Sequence, residues 1–126
     1  MRDDKSLWNE WQEGITKLRF AKMTSVVFVM DYLTLGFDGQ VVLTTLVWPS
    51  MHSPQLENEL TIRTPGYRHR LCSLLGKVVA KSWIDDDDAI HLLFDNADEV
   101  RIGLQASRNG GERAILTAPD GYLLVY

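Results

Sequence analysis

The sequence has a single cysteine, Cys72, and no long apolar run. One cysteine cannot form an internal disulfide bond, and a cysteine-rich zinc site is excluded for the same reason. The longest apolar run, residues 26–30, is far too short to span a bilayer, and no hydrophobic leader follows the polar N-terminus. These features predict a soluble, cytoplasmic protein. Its 126 residues are the size of one domain.

Two neighbouring stretches each lack one sign of charge. Residues 60–81 contain five bases and no Asp or Glu, whereas residues 82–100 contain seven acids and no Lys or Arg. The net charge of the whole chain is only −4, so the opposed blocks predict a strong local field within a modest total. The seven acids are Asp85, Asp86, Asp87, Asp88, Asp95, Asp98 and Glu99.

Hydrophobic spacing predicts an α+β fold. An N-terminal helix is expected over about residues 6–20, and "TPGYRHRLCSLLG" (64–76) predicts a second helix, with Thr64 as its cap and Gly76 as its stop. Three strand candidates follow each helix, at 23–30, 32–37 and 40–48 and then at 77–84, 89–94 and 99–104. The segments "RAILTA", "PDG" and "YLLVY" predict a C-terminal β-hairpin.

The two halves resemble each other. "DYLTLGFDG" (31–39) aligns with "DAIHLLFDN" (88–96), and "MTSVVFVM" (23–30) aligns with "KVVAKSWI" (77–84). We interpret this as a diverged αβββ repeat, with halves at about 6–48 and 64–104 of a single domain covering residues 1–126. In this alignment the second half has three extra residues, 85–87. The predicted architecture is antiparallel sheet built from two αβββ units, with two helices packed on it and a C-terminal hairpin.

No motif predicts catalysis, metal binding or a cofactor. Four consecutive aspartates point to different sides of any regular backbone, unlike the alternating ligands of a calcium loop. Carboxylates at a turn are expected to be hydrated, whereas acid–base catalysis needs a desolvated one. "RNGGER" (108–113) precedes a strand, so it lacks the helix N-terminus of a phosphate loop. We therefore predict a protein that is not an enzyme, with no cofactor and no metal.

Protein recognition is the function that these patterns leave open. The acidic block can attract a basic partner and accept hydrogen bonds from Arg and Lys. Trp48, Met51 and His52 lie in a proline-flanked segment predicted to be irregular, where aromatic side chains often anchor interfaces. These three residues and the seven acids are the candidate partner-binding residues. The acidic composition argues against a nucleic acid as partner, and no membrane partner is predicted.

Scattered segments over most of the chain carry a resemblance. "FVMDYLTLGFDG", "PGYRHRLCSLLGK" and "GGERA" followed by "PDG" resemble a set of small uncharacterised bacterial proteins. In size, acidity and lack of catalytic motifs, the chain is also similar to immunity proteins of contact-dependent growth inhibition and other polymorphic toxin systems. That resemblance implies binding to a cognate toxin, expected to be a basic C-terminal toxin domain such as a nuclease, and occlusion of its active site.

Two alternatives remain open at this point. One is a structural protein that forms a homodimer through an exposed strand edge such as "YLLVY". The other is a small ligand-binding domain or enzyme with a cleft between the repeats, near His91 or Arg113.

Overall fold

The computed structural model describes residues 4–85, 89–104 and 112–126, with side chains described from residue 8 onward. Helix α1 spans Asp4–Thr16 and helix α2 spans Tyr67–Cys72. The described strands are β1 Met23–Val29, β2 Tyr32–Phe37, β3 Val41–Thr45, β4 Ser50–His52, β5 Val79–Ile84, β6 Ala89–Phe94, β7 Glu99–Gly103, β8 Ala114–Ala118 and β9 Tyr122–Val125.

The strands form two antiparallel sheets. The larger has the order β1-β2-β3-β8-β9 and the smaller β4-β7-β6-β5. Each sheet turns one face toward a single hydrophobic core, to which the larger sheet contributes Leu35 and Leu43 and the smaller one Leu92 and Val100. The predicted α+β class is confirmed, as is the C-terminal hairpin, formed by β8 and β9. Neither helix in the described ranges has the length and hydrophobicity needed to cross a membrane.

The backbone follows the same path twice. Met23 pairs with Phe37 and Val79 pairs with Phe94, and a register shift follows both Met23 and Val79 within their strands. Met23 therefore corresponds to Val79, 56 positions later (79 minus 23), and Phe37 to Phe94, 57 positions later (94 minus 37). The β5–β6 connection is thus one residue longer than its counterpart. The prediction of three extra residues at 85–87 is therefore wrong. The sequence alignment had matched Met23 with Lys77, whereas the structure matches it with Val79.

Reciprocal hydrogen bonds relate the two halves as a two-fold axis would. Phe20 N–H donates to the carbonyl of Val79 at 2.7 Å, and the equivalent Gly76 N–H donates to the carbonyl of Met23 at 2.8 Å. An isolated bridge joins the equivalent residues Lys22 and Val78. This bridge lies at the centre of the two-fold relationship between the halves. The helix and the three strands of one half therefore occupy positions that match those of the other half.

Each half also completes the other. Strand β4 follows β3 but pairs with β7, and β8 follows β7 but pairs with β3. Each helix likewise contacts a strand of the other half. Gln12 of α1 hydrogen-bonds to Ile84 on β5. The guanidinium of Arg68 in α2 lies over the ring of Phe28 on β1. The two halves therefore share one core.

Several predicted boundaries were wrong for local reasons. The Thr64 hydroxyl accepts from Thr61 N–H at 3.0 Å instead of capping the second helix, which begins after Gly66 in a left-handed conformation. The segment after Pro49, predicted to be irregular, forms strand β4. Proline is tolerated there because it precedes the strand and therefore removes no ladder donor. Leu60 forms an isolated bridge with Met51.

Candidate functional site

The solvent-facing surfaces of the two sheets differ sharply in chemistry. The outer face of the larger sheet carries no charged side chain among the described strand positions; it consists of Ser25, Val27, Val29, Tyr32, Thr34, Gly36, Val42, Thr44, Ile115, Thr117, Leu123 and Val125. The outer face of the smaller sheet is polar. Ser50, Arg101, His91 and Trp83 lie opposite one another in one row, and His52, Glu99, Leu93 and Lys81 in the next.

His91 is the centre of this polar face. Its Nε2 lies 2.5 Å from Asp85 Oδ2 and its Nδ1 lies 3.0 Å from Glu99 Oε2. The imidazole stacks on the indole of Trp83, with ring centroids 4.8 Å apart and planes 2° from parallel. Each ring nitrogen therefore faces a carboxylate oxygen, and which nitrogen donates depends on the tautomer of the imidazole.

Asp85 also organises the start of the β5–β6 connection. Its Oδ1 accepts from Ala89 N–H at 3.1 Å, and its own N–H donates to the Ala89 carbonyl at 3.0 Å. A guanidinium nitrogen of Arg101 lies 3.9 Å from Asp85 Oδ2. We call Trp83, Asp85, His91, Glu99 and Arg101 the His91 cluster. Two carboxylates, one imidazole and one guanidinium therefore meet on a rigid sheet surface.

The repeat supplies an internal comparison for this cluster. Trp83 on β5 and Asp85 just after it correspond to Val27 and Val29 on β1, and His91 corresponds to Thr34 on β2. Glu99 and Arg101 correspond to Val42 and Thr44 on β3. The same backbone thus folds with uncharged side chains at every one of these positions. The charged side chains of the His91 cluster therefore occur in only one of the two halves.

A second ionic cluster lies beside α2. Arg70 Nη2 donates to Asp98 Oδ1 at 2.8 Å and Arg70 Nε donates to Asp98 Oδ2 at 3.2 Å. Burial would raise the pKa of Asp98, but hydrogen bonds from Arg70, Ser53 and Asn96 and the charge on Arg70 outweigh it, so the pKa is lowered. Asp98 is 2% exposed. This carboxylate fixes α2 to the β6–β7 turn and is not offered to a partner.

The predicted acidic surface is divided by the fold. Asp85 and Glu99 belong to the His91 cluster, Asp98 is buried against Arg70, and Asp95 is exposed in the β6–β7 turn. Asp86, Asp87 and Asp88 lie outside the described residues. Three of the four described acids therefore have a cationic or imidazole neighbour within the protein.

The other three predicted contact residues are separated as well. Met51 is 1% exposed and belongs to the core. Trp48 is half-buried and stacks with Phe28 at 6.4 Å between centroids. His52 lies on the polar face, with Nε2 3.2 Å from Glu59 Oε2 and 3.1 Å from the hydroxyl of Ser50. Of these three, His52 alone stands directly beside Glu99.

Sequence reasoning missed the central role of His91 and did not assign Trp83 or Arg101. A signal was present, because alternation places His91, Glu99 and Arg101 on one face of adjacent antiparallel strands. That signal needs the register of β6 and β7, which the hydrophobic pattern alone did not supply. Within the described residues, no group of three or more His, Cys, Asp or Glu is arranged to hold a metal ion.

Comparison with known proteins identified no match: no family model, no curated protein and no solved structure is significantly similar to the chain.

Proposed function

We propose that the protein is an immunity protein, which binds a cognate bacterial toxin through the outer face of the smaller sheet and blocks its active site. The observation that carries the proposal is the His91 cluster, whose charged residues replace uncharged ones at equivalent positions of the repeat. A function other than folding is the simplest reason for charges that occur in only one of the two halves.

The geometry of the cluster suits recognition of a basic protein surface. The side chains of Asp85 and Glu99 are 26% and 23% exposed, so their carboxylates can still accept hydrogen bonds from Arg or Lys of a partner. His91 holds both carboxylates in place, which reduces the entropy lost on binding. Trp83 adds a half-buried aromatic surface next to them.

Blocking by occlusion needs no chemistry from this protein. A basic toxin, such as a nuclease, has a cationic cleft for its polyanionic substrate. The carboxylates at Asp85 and Glu99 would occupy the entrance of that cleft and exclude the substrate. Three further aspartates, at 86–88, follow Asp85 directly in the sequence and add to the negative charge of the acidic block.

The test is co-expression with the C-terminal region of the protein encoded immediately upstream. We expect that region to arrest growth when expressed alone and growth to be restored when this protein is present. If the upstream product is not toxic, or its toxicity is unchanged by this protein, the proposal is lost.

The repeat provides the matched variants. Replacing Asp85, His91 and Glu99 together by their counterparts (D85V, H91T, E99V) should leave the fold intact and lower toxin affinity by about tenfold or more. Val42→Thr on the uncharged face is the control and should bind as the wild type does. Unchanged affinity of the triple variant in calorimetry would place the interface elsewhere.

A homodimer is a second candidate, favoured by the outer face of the larger sheet. This face is uncharged, and on edge strand β9 it exposes Leu123 (60%) and Val125 (37%). Pairing of β9 with β9 of a second copy would bring no like charges together along these strands. Sedimentation of the wild type and Leu123→Lys decides the matter: a dimer lost in the variant supports this function, and a monomeric wild type contradicts it.

A further inference from the structure

Phe20 is held in a backbone conformation that suits glycine. Its φ is 69°, and the equivalent residue in the second half is Gly76, with φ 84°. The reciprocal hydrogen bonds to Val79 and Met23 impose this geometry on both residues. An L-residue at positive φ is strained, because its Cβ approaches the backbone.

Packing does not compensate for this strain. The side chain of Phe20 is 71% exposed, and its one described ring contact is with the guanidinium of Arg19, 4.9 Å from the ring centroid. In the second half, glycine (Gly76) occupies the equivalent position of the same turn. Neither the fold nor the core therefore accounts for a phenyl ring here, and strain of this kind is concentrated at functional sites.

The surroundings of Phe20 are basic although the protein is acidic. Arg19 and Lys22 flank it in sequence, and the reciprocal bonds place the start of β5, with Lys77 and Lys81 on either side of Val79, next to it. All four cations are exposed, and none forms an ion pair with any residue that the structure describes. The nearby acids are Asp38 and Asp95, whose N–H groups donate to the carbonyls of Lys22 and Val78.

A concave surface lies beside Arg19, the residue whose guanidinium stacks on the Phe20 ring. A cavity of about 260 Å³ is lined by Arg19, Lys81, Ser82 and Trp83. The Ser82 hydroxyl is turned inward and donates to the Ile15 carbonyl, so the remaining polar groups are two cations beside an indole. Trp, Phe and Arg form the type of surface in which binding energy is concentrated.

From this arrangement we infer that Arg19, Phe20, Lys81 and Trp83 form a docking site for an acidic segment of a partner protein. Carboxylate side chains of that segment bind Arg19 and Lys81 at the cavity, and an apolar side chain packs on Phe20. Charge complementarity selects the acidic partner, because none of the four cations forms an ion pair within the described part of the chain. A protein segment fits better than a polyphosphate or a lipid surface, since it can insert single carboxylates while avoiding Asp38 and Asp95.

This site shares Trp83 with the His91 cluster, but its other three residues lie outside that cluster. Glu99→Val, which lies two strands away from Trp83, should therefore leave binding at the Phe20 site unchanged. Loss of binding in that variant would show that the two surfaces form one site, and it would overturn the inference of a separate site.

The test is selection of short random peptides displayed on phage against the full-length protein, followed by fluorescence titration of the resynthesised peptide. We expect acidic peptides with at least one aromatic or aliphatic residue to be enriched. Phe20→Gly and the double variant R19A/K81A should each weaken binding about tenfold or more. Enrichment of basic peptides, no enrichment, or equal binding by Phe20→Gly would overturn the inference.

The stability of the same variant separates binding from folding. Phe20→Gly removes strain, so its urea midpoint should equal or exceed that of the wild type, whereas the control Gly76→Ala should lower the midpoint. A lowered midpoint for Phe20→Gly would show that the ring is structural and would overturn the inference. Tighter binding of wild type to phosphatidylcholine–phosphatidylserine vesicles or to single-stranded DNA than to the selected peptide would also overturn it, in favour of those partners.

Discussion

Arg70 and Asp98 form a two-point ion pair that joins helix α2 to the β6–β7 turn, with N–O distances of 2.8 and 3.2 Å. The Asp98 carboxylate is almost completely buried, and Asn96 Nδ2 donates to it as well, at 3.2 Å. Removing one partner of such a pair leaves a buried charge without compensation, which is more damaging than losing an exposed pair.

Asp98→Asn should therefore lower the free energy of unfolding by about 2–4 kcal/mol at neutral pH, toward the low end because Arg70 is partly exposed. Urea denaturation measures this difference. Asp95→Asn, in the same turn but exposed, is the matched control and should change stability by less than about 0.5 kcal/mol. Equal effects of the two substitutions would contradict the role assigned to Asp98.

The same carboxylate should contribute to acid sensitivity. The pKa of Asp98 is lowered from 3.8 in the folded protein, so its stabilising contribution is fully present above that value and is lost as pH falls through the folded pKa. Wild type and Asp98→Asn should therefore converge in stability as pH falls below about 4. A constant difference between them down to the acid unfolding of the wild type would contradict this linkage.

Tyr67 should make stability depend on pH in the opposite direction, with a loss of stability at high pH. Burial raises its pKa to about 12 despite the charge of nearby Arg68, and its hydroxyl donates to the Pro49 carbonyl at 2.5 Å. Tyr67→Phe should lower stability by about 1–2 kcal/mol near neutral pH through loss of this hydrogen bond. A raised folded pKa means that the contribution of Tyr67 is present below pH 10 and disappears as pH rises toward 12.

The difference between wild type and Tyr67→Phe should thus shrink over that alkaline range in equilibrium unfolding. Tyr32→Phe is the control, because Tyr32 is 38% exposed on the uncharged face. A Tyr32→Phe variant as destabilised as Tyr67→Phe would show that the hydroxyl of Tyr67 has no special role.

Gln12 should be important for the free edge of β5. Its Nε2 donates to the Ile84 carbonyl at 2.7 Å and its Oε1 accepts from Ile84 N–H at 3.2 Å, so one side chain replaces a neighbouring strand. Gln12→Ala should cost about 1–2 kcal/mol and accelerate hydrogen exchange of the Ile84 amide. The counterpart variant Arg68→Ala, which removes a cation–π contact with Phe28 rather than a pair of backbone hydrogen bonds, should cost less than about 1 kcal/mol. An unchanged exchange rate at Ile84 in Gln12→Ala would refute the edge-protecting role.

Local patterns predicted the elements whose neighbours are close in sequence. The predicted strands 32–37 and 89–94 coincide with β2 and β6, because each lies in a hairpin whose alternation and turn residues are both local. Strand β4 was not predicted, because its partner β7 lies in the other half of the chain. Its existence depends on a pairing that no local window contains.

The candidate site, too, was predicted only in part from local sequence patterns. The sequence by itself determined the α+β class through its hydrophobic spacing, the likeness of the halves through matching segments, and the concentration of acids in 82–100 through its charge order. Only the tertiary structure decided which acids are available to a partner, since Asp98 meets Arg70 across 28 positions and His91 meets both Asp85 and Glu99. The physical reason is that the charge of a side chain follows from its residue type, which can be read from the sequence. Its burial and its hydrogen-bonding partners are instead set by strand register and helix packing.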